Sequence, residues 1–224
     1  MKQGKRMSTE TIVLGAVLTA LVIVLQLMGA FIRFGPFSIS LVLIPIVIGA
    51  ATCGVWVSSW LGFVFGIAVL LSGDAAAFLA INVPGTIITV LAKGIGCGFA
   101  AGFVYNMLLG FLDKRSQNIV NRMRQNQQLC SSCERGVLKY ISRNNKYIAV
   151  LAAAIACPIA NTGIFLIGCA VFFLDTLAVW SGGGSVLYYM IFGLVGANFL
   201  FELGSNIILS PVVVRLLNIK AKNQ

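Results

Sequence analysis

From Thr11 to Phe31 the chain carries no charged side chain, and the stretch TIITVLAKGIGCGFAAGFVY, Thr86 to Tyr105, carries one, Lys93. Apolar runs of this length constrain the fold more than any motif here, because a helix crosses the hydrocarbon core of a bilayer with roughly 20 apolar residues. Composition agrees: mean hydropathy is +0.97 and only 10% of residues are charged, where a soluble domain carries about 25%. The 224 residues leave room for about six such spans. The expected fold is an all-α integral membrane protein, one domain over residues 1–224, with six transmembrane helices.

Turn signals divide the runs. Helix one is expected over about Glu10 to Phe31, helix two over Ser38 to Cys53, and helix three over Val55 to Leu71 after the turn at Gly54. Helix four begins near Pro84, a position that suits proline, and ends near Leu108. A basic loop at about 109–146 comes next, with an amphipathic interfacial helix near Ile119 to Leu129. Helix five covers Tyr147 to Leu174, DTLAVWSGGGS reads as a flexible glycine-rich turn, and helix six covers Val186 to Leu216. The N-terminus has the basic-then-apolar order of a secretory signal, but its run exceeds the roughly 7–15 residues of a signal core. It reads as a retained first helix.

The net charge of +10 is segregated rather than spread. Lys2, Lys5 and Arg6 precede the first run, Arg215, Lys220 and Lys222 close the chain, and eight Lys/Arg from Lys114 to Lys146 fill the long polar segment. With both termini cytoplasmic, every basic cluster lies inside, and the outer loops hold only Arg33, Asp74 and Asp175. Basic charge alone is a non-specific signal for nucleic acid, and the loop pattern accounts for it without one.

The residues that interrupt the apolar runs locate the chemistry. Intramembrane ionisable groups face a bundle interior or a wet cavity. Lys93 lies about 12 Å below the outer end of helix four, on one face with Thr86 and Thr89. Gly94, Gly98 and Gly102 form an adjoining seam of the kind that lets helices approach closely. Lys93 reads either as a cationic anchor for an anionic ligand or as a structural or snorkelling lysine. Helix six repeats the pattern with Asn198, Glu202 and Asn206, and Glu202 reads as a ligand contact or a helix-locking hydrogen bond. Counted along the helices Glu202 is about 10 Å deeper than Lys93, which argues against a direct salt bridge. In helix five, Pro158 removes one backbone hydrogen bond, and Asn161, Thr162 and Gly163 come after it, either as a pocket wall or as a helix–helix contact.

Absences exclude several classes. No histidine occurs, which removes Ser-His-Asp and Cys-His hydrolysis and zinc peptidase motifs. No phosphate-binding G-x-x-x-x-G-K-[ST] occurs, so ATP use falls to partners. Cys130 and Cys133 form a C-x-x-C without the further ligands of a zinc site. The expectation is no enzyme, no metal and no cofactor.

The order of LGAVLTALVIVLQL, FGPFSISLVLIPIVIGAATCGVWVSSWLGFVFGIAVLL, INVPGTIITVLAKG and NFLFELGSNIILSPVVVRLL resembles the S components of energy-coupling factor (ECF) vitamin transporters. SISLVLIPIVIGA is most similar to the pantothenate-type group. The resemblance implies a substrate-capture subunit in a bacterial plasma membrane that binds one vitamin near the extracellular side. It would work with a transmembrane coupling subunit and two cytosolic ATPases, the ATP being used by those partners. Ala16 and Ala20 on helix one would meet the coupling subunit, the outer loops Arg33 to Ser40 and Ser72 to Pro84 would gate the pocket, and Arg33, Asn82, Thr86, Thr89, Lys93, Asn161, Asn198 and Glu202 would bind the substrate. An anionic vitamin, pantothenate first, would suit Lys93 and Arg33. The alternative is a stand-alone secondary transporter, which would need inverted repeats or a coupling-ion site; neither is evident.

Overall fold

The computed structural model describes residues 9–31, 33–34, 37–38, 41–125 and 131–222, and the side chains among them except at 30–40, 124–135, 139 and 218–222. The fold is helical. Helix α1 spans Thr9–Phe31; a two-residue antiparallel ladder of β1 (Arg33–Phe34) with β2 (Phe37–Ser38) comes after it. Helices α2 (Leu43–Cys53) and α3 (Val55–Leu71) meet at Gly54, whose φ of 90° is a conformation open to glycine and strained for side-chain-bearing residues. Then come the short α4 (Ala76–Leu79), the long α5 (Val83–Gln125) and α6 (Ser131–Phe172), and α7 (Leu174–Trp180). The chain ends in α8 (Val186–Tyr188), a π-helical stretch over Tyr189–Val195, and α9 (Gly196–Lys222).

Among the described residues, four helical stretches are long and apolar enough to cross a membrane: Thr9–Gly29, Val83–Met123, Gly136–Phe172 and Val186–Leu217. Helices α2 and α3 are apolar but shorter, at 11 and 17 residues. At 1.5 Å per residue α2 reaches only about 17 Å, and it is the inner helix of the bundle, with Leu43, Ile46 and Val47 buried.

Two antiparallel pairings organise the bundle, both centred on α5. Along α3, Val55, Ser58, Gly62 and Gly66 face Gly102, Gly98, Gly94 and Val90, so the paired numbers run in opposite directions. Along α6, Phe172, Gly168, Ile164 and Asn145 face Gly85, Thr89, Gly96 and Asp113 in the same way. The glycine seam expected from sequence is therefore the α3 contact.

Three expected boundaries move. Helix four does not end near Leu108, because α5 continues as one helix of 43 residues to Gln125. Residues 113–125 are rich in Arg, Asn and Gln and hold neither glycine nor proline, so nothing there stops the helix. The interfacial helix expected near Ile119 to Leu129 is thus the far end of α5, and residues 126–130 lie outside the described set. Helix five starts at Ser131, not Tyr147. The polar segment is thus a helical hairpin rather than a loop, clipped where Asn145 Nδ2 donates to Asp113 Oδ1 (2.9 Å) and Ser116 Oγ (3.0 Å). The stretch DTLAVW belongs to helix α7, and the turn is confined to Ser181–Ser185, with positive φ at Gly182 and Gly183. Helix α6 runs through Pro158, which is fully buried.

Candidate functional site

On α5, Thr86, Thr89 and Lys93 share a face because residues three and four apart lie one above the other. Packing of the glycine face on α3 turns this polar face toward α6 and α9. The result is one cavity of about 160 Å³ between α1, α3, α4, α5, α6 and α9. Its polar lining is Gln26, Asp74, Thr86, Thr89, Lys93, Asn161, Thr162, Asn198 and Glu202; its apolar lining includes Phe65, Phe78, Phe165 and Phe173. That volume is below the roughly 300–1,000 Å³ of pockets for drug-sized ligands.

Lys93 is half-buried. Its Nζ lies 5.0 Å from the ring centroid of Phe165 and 5.7 Å from that of Phe65. Both rings offer the negative face of their π-system to the ammonium. Among the described residues Lys93 donates no hydrogen bond and joins no ion pair within 4.0 Å. Glu202 lines the same cavity and is 2% exposed. Its two oxygens are held separately: Asn198 Nδ2 donates to Oε1 at 3.0 Å and Asn161 Nδ2 to Oε2 at 3.3 Å. Asn206 Nδ2 donates to the Glu202 carbonyl at 2.9 Å. The helix-locking bond and the cavity position, alternatives on the sequence alone, therefore coexist. The π-helical stretch ends at the cavity with Leu194 and Val195, and one turn later α9 presents Asn198. A π turn adds a residue to a helical turn and so rotates the helix C-terminal to it.

The remaining positions separate. Thr86 donates to the Asn82 carbonyl at 2.7 Å, a bond local to the start of α5. Thr89 Oγ1 is buried without a partner and packs against the backbone position of Gly168. Asn161 Oδ1 is likewise buried and unpaired. Asn82 immediately precedes α5, where its Oδ1 accepts from the Gly85 N–H at 3.0 Å as a cap, and it is not part of the lining. Arg33 lies in β1, and its side chain is outside the described residues. Ala16 and Ala20 are exposed on α1, away from the cavity.

Two lining groups escaped the sequence reading. Gln26 of α1 is 3% exposed and its Nε2 donates to Asp74 Oδ2 at 2.6 Å, tying α1 to the loop after α3. Gln26 is the only amide between Thr11 and Phe31, and that isolation was the available signal. Phe78 of α4 stacks edge-on against Phe165, Phe173 and Trp180, with centroids 5.0–5.7 Å apart, and forms an aromatic cover over this end of the cavity. Among the described residues no cluster suited to hold a metal ion occurs.

Helix lengths and composition are compatible with a multi-pass membrane protein, here with a polar chamber inside the bundle. Compared with protein-family models, curated proteins and solved structures, the chain matches none.

Proposed function

We propose that the protein is the substrate-capture subunit of an ECF-type transporter: it binds a small anionic vitamin, pantothenate as first choice, and delivers it inward with a coupling subunit and two ATPases. The observation that carries this reading is the ammonium of Lys93, which faces the cavity with no hydrogen bond or ion pair among the described residues. The ammonium lies against the Phe165 and Phe65 rings with its donors free, and a carboxylate on the cargo would take charge-assisted hydrogen bonds from it. The reading needs no catalytic group, and the sequence offers neither histidine nor a nucleotide-binding loop.

In this reading six segments cross or enter a bacterial plasma membrane, α2 as a partial span, and both termini are cytoplasmic. The α5–α6 hairpin then extends into the cytosol: α5 measures about 64 Å, twice a hydrocarbon core of about 30 Å. Ala16 and Ala20 form the face for the coupling subunit. Their exposure on a helix whose outward side also bears Ile12, Val13, Val17 and Val24 supports a docking role.

Co-purification and uptake test the proposal together. The gently extracted protein is expected to bring down two ATPases and a larger membrane partner, and vitamin uptake is expected to stop when the ATPases are deleted. Uptake that persists without them would identify a stand-alone transporter instead.

A further inference from the structure

The charged groups of the cavity differ in one respect. Each carboxylate already accepts hydrogen bonds, Glu202 from Asn198 and Asn161 and Asp74 from Gln26, while Lys93 donates none among the described residues. Lys93 and Glu202 line one chamber without closing on each other. Asn161, which holds Glu202, stands four residues, about 6 Å of helix, from Phe165, whose ring lies against Lys93. The amide bonds to Glu202 occupy two of about four acceptor positions on the carboxylate, so Glu202 retains capacity for a donor. Phe78 and Phe165 supply aromatic wall to the same chamber, Phe165 beside Lys93 and Phe78 in the cover.

Resting on the capture reading, we infer that the cargo is bipolar: a carboxylate or phosphate seats on Lys93, a hydroxyl or N–H donates to Glu202, and its apolar part lies against Phe78 and Phe165. The asparagines are positioning residues. Their amides fix the carboxylate as an acceptor, and its orientation is set by theirs. A charge-assisted bond at each end contributes more than a neutral one, so loss of either end of the cargo costs about tenfold in affinity. The two losses are separable because different helices carry the two groups.

The experiment uses matched pairs of compounds on the purified full-length protein: pantothenate with panthenol, and biotin with biotinamide. Binding is read by thermal shift and by titration calorimetry. At least one carboxylate is expected to bind, and its neutral counterpart at least about tenfold more weakly. Lys93→Met removes that preference, and Lys93→Arg retains it in part, which separates charge from folding. Glu202→Gln weakens both members of the pair alike and leaves the preference intact. A neutral counterpart that binds equally well, or a preference that survives Lys93→Met, overturns the bipolar assignment while leaving vitamin capture standing. Binding of neutral members alone does the same. No binding by any member overturns the capture reading and the inference with it.

Discussion

Helix α5 has two sides built on opposite principles. Toward α3 it is dry and close: a Cβ on Gly62 would collide with the Gly94 carbonyl, one on Gly98 with the Ser58 carbonyl, and one on Gly102 with the Val55 backbone. Toward α9 the same helix stands off, and beside its close contacts with α6 at Gly85, Thr89 and Gly96 about 160 Å³ remains, edged by Lys93, Asn198 and Glu202. In a bilayer apolar burial does not by itself draw helices together, so close backbone approach and polar contacts do that work. The first side fixes where α5 lies. Only because it is fixed can the second side remain open.

On this contrast the seam governs folding and the cavity governs binding, so the largest effect is expected at the seam. Gly98→Leu and Gly62→Leu force side chains into backbone that cannot yield as a flexible side chain would, at about 3 kcal/mol or more each. Thermal unfolding in detergent measures this, and both variants should lose the folded state before any ligand assay can be read. A well-folded Gly98→Leu protein would show that the two helices are not held by this contact.

Next in size is the rotation set by the π-helical stretch. Inserting one alanine between Val195 and Gly196, just after the π-helical stretch, turns Asn198 and Glu202 about 100° relative to α8, one residue of helical rotation. Ligand affinity is expected to fall at least about tenfold, the scale of one lost charge-assisted bond, while helix content by circular dichroism stays the same. Retained affinity would mean that the π turn does not set the register of the site.

These two devices were not equally legible. The seam could be read from Gly94, Gly98 and Gly102, because a spacing of four on a helix places them on one stripe. The polar face could be read from Thr86, Thr89 and Lys93 for the same reason. The opposite stripe of α3 carries the same signal, Ser58, Gly62 and Gly66 at a spacing of four, but that these two stripes meet could not be read, since partner choice depends on tertiary packing. The π turn carries no composition signal in YYMIFGLV. The single amide of α1, Gln26, was visible as an anomaly in an apolar run, but its partner Asp74 lies 48 residues away. The hairpin of α5 and α6 was masked by its charge, which in a membrane protein reads as a loop between spans without distinguishing helix from loop.

A subtler test of the two-sided design lies at Thr89, which touches both regimes. Its Oγ1 is buried without a partner beside Gly168, and an unsatisfied buried hydroxyl costs about 1–3 kcal/mol. Thr89→Val keeps the shape and removes that hydroxyl. The empty protein is expected to gain about 1 kcal/mol, read as a higher unfolding temperature. A fall in stability would reveal a partner for the hydroxyl and make this part of the cavity wall wetter than it stands. Comparable in size, but in the hairpin, Asn145→Ala removes two hydrogen bonds to Asp113 and Ser116 and is expected to cost about 1–2 kcal/mol, with ligand affinity unchanged.

The smallest effect on the chain itself is expected on α1. Ala16 and Ala20 are exposed and touch neither the seam nor the cavity. Replacing each by Trp should leave stability within about 0.5 kcal/mol, as for surface changes away from packed features, and leave ligand affinity unaltered. On the proposed transporter reading, the larger side chains should instead abolish association with a coupling subunit, because an interface built on small residues would exclude an indole where two helix backbones approach. Co-purification of the partner, measured beside ligand titration on the same preparation, separates the two properties. Ala16→Trp and Ala20→Trp variants that still carry the partner would move the docking face elsewhere on the bundle, while a variant that loses ligand along with the partner would show that the cavity and the outer face of α1 are coupled through Gln26 and its bond to Asp74.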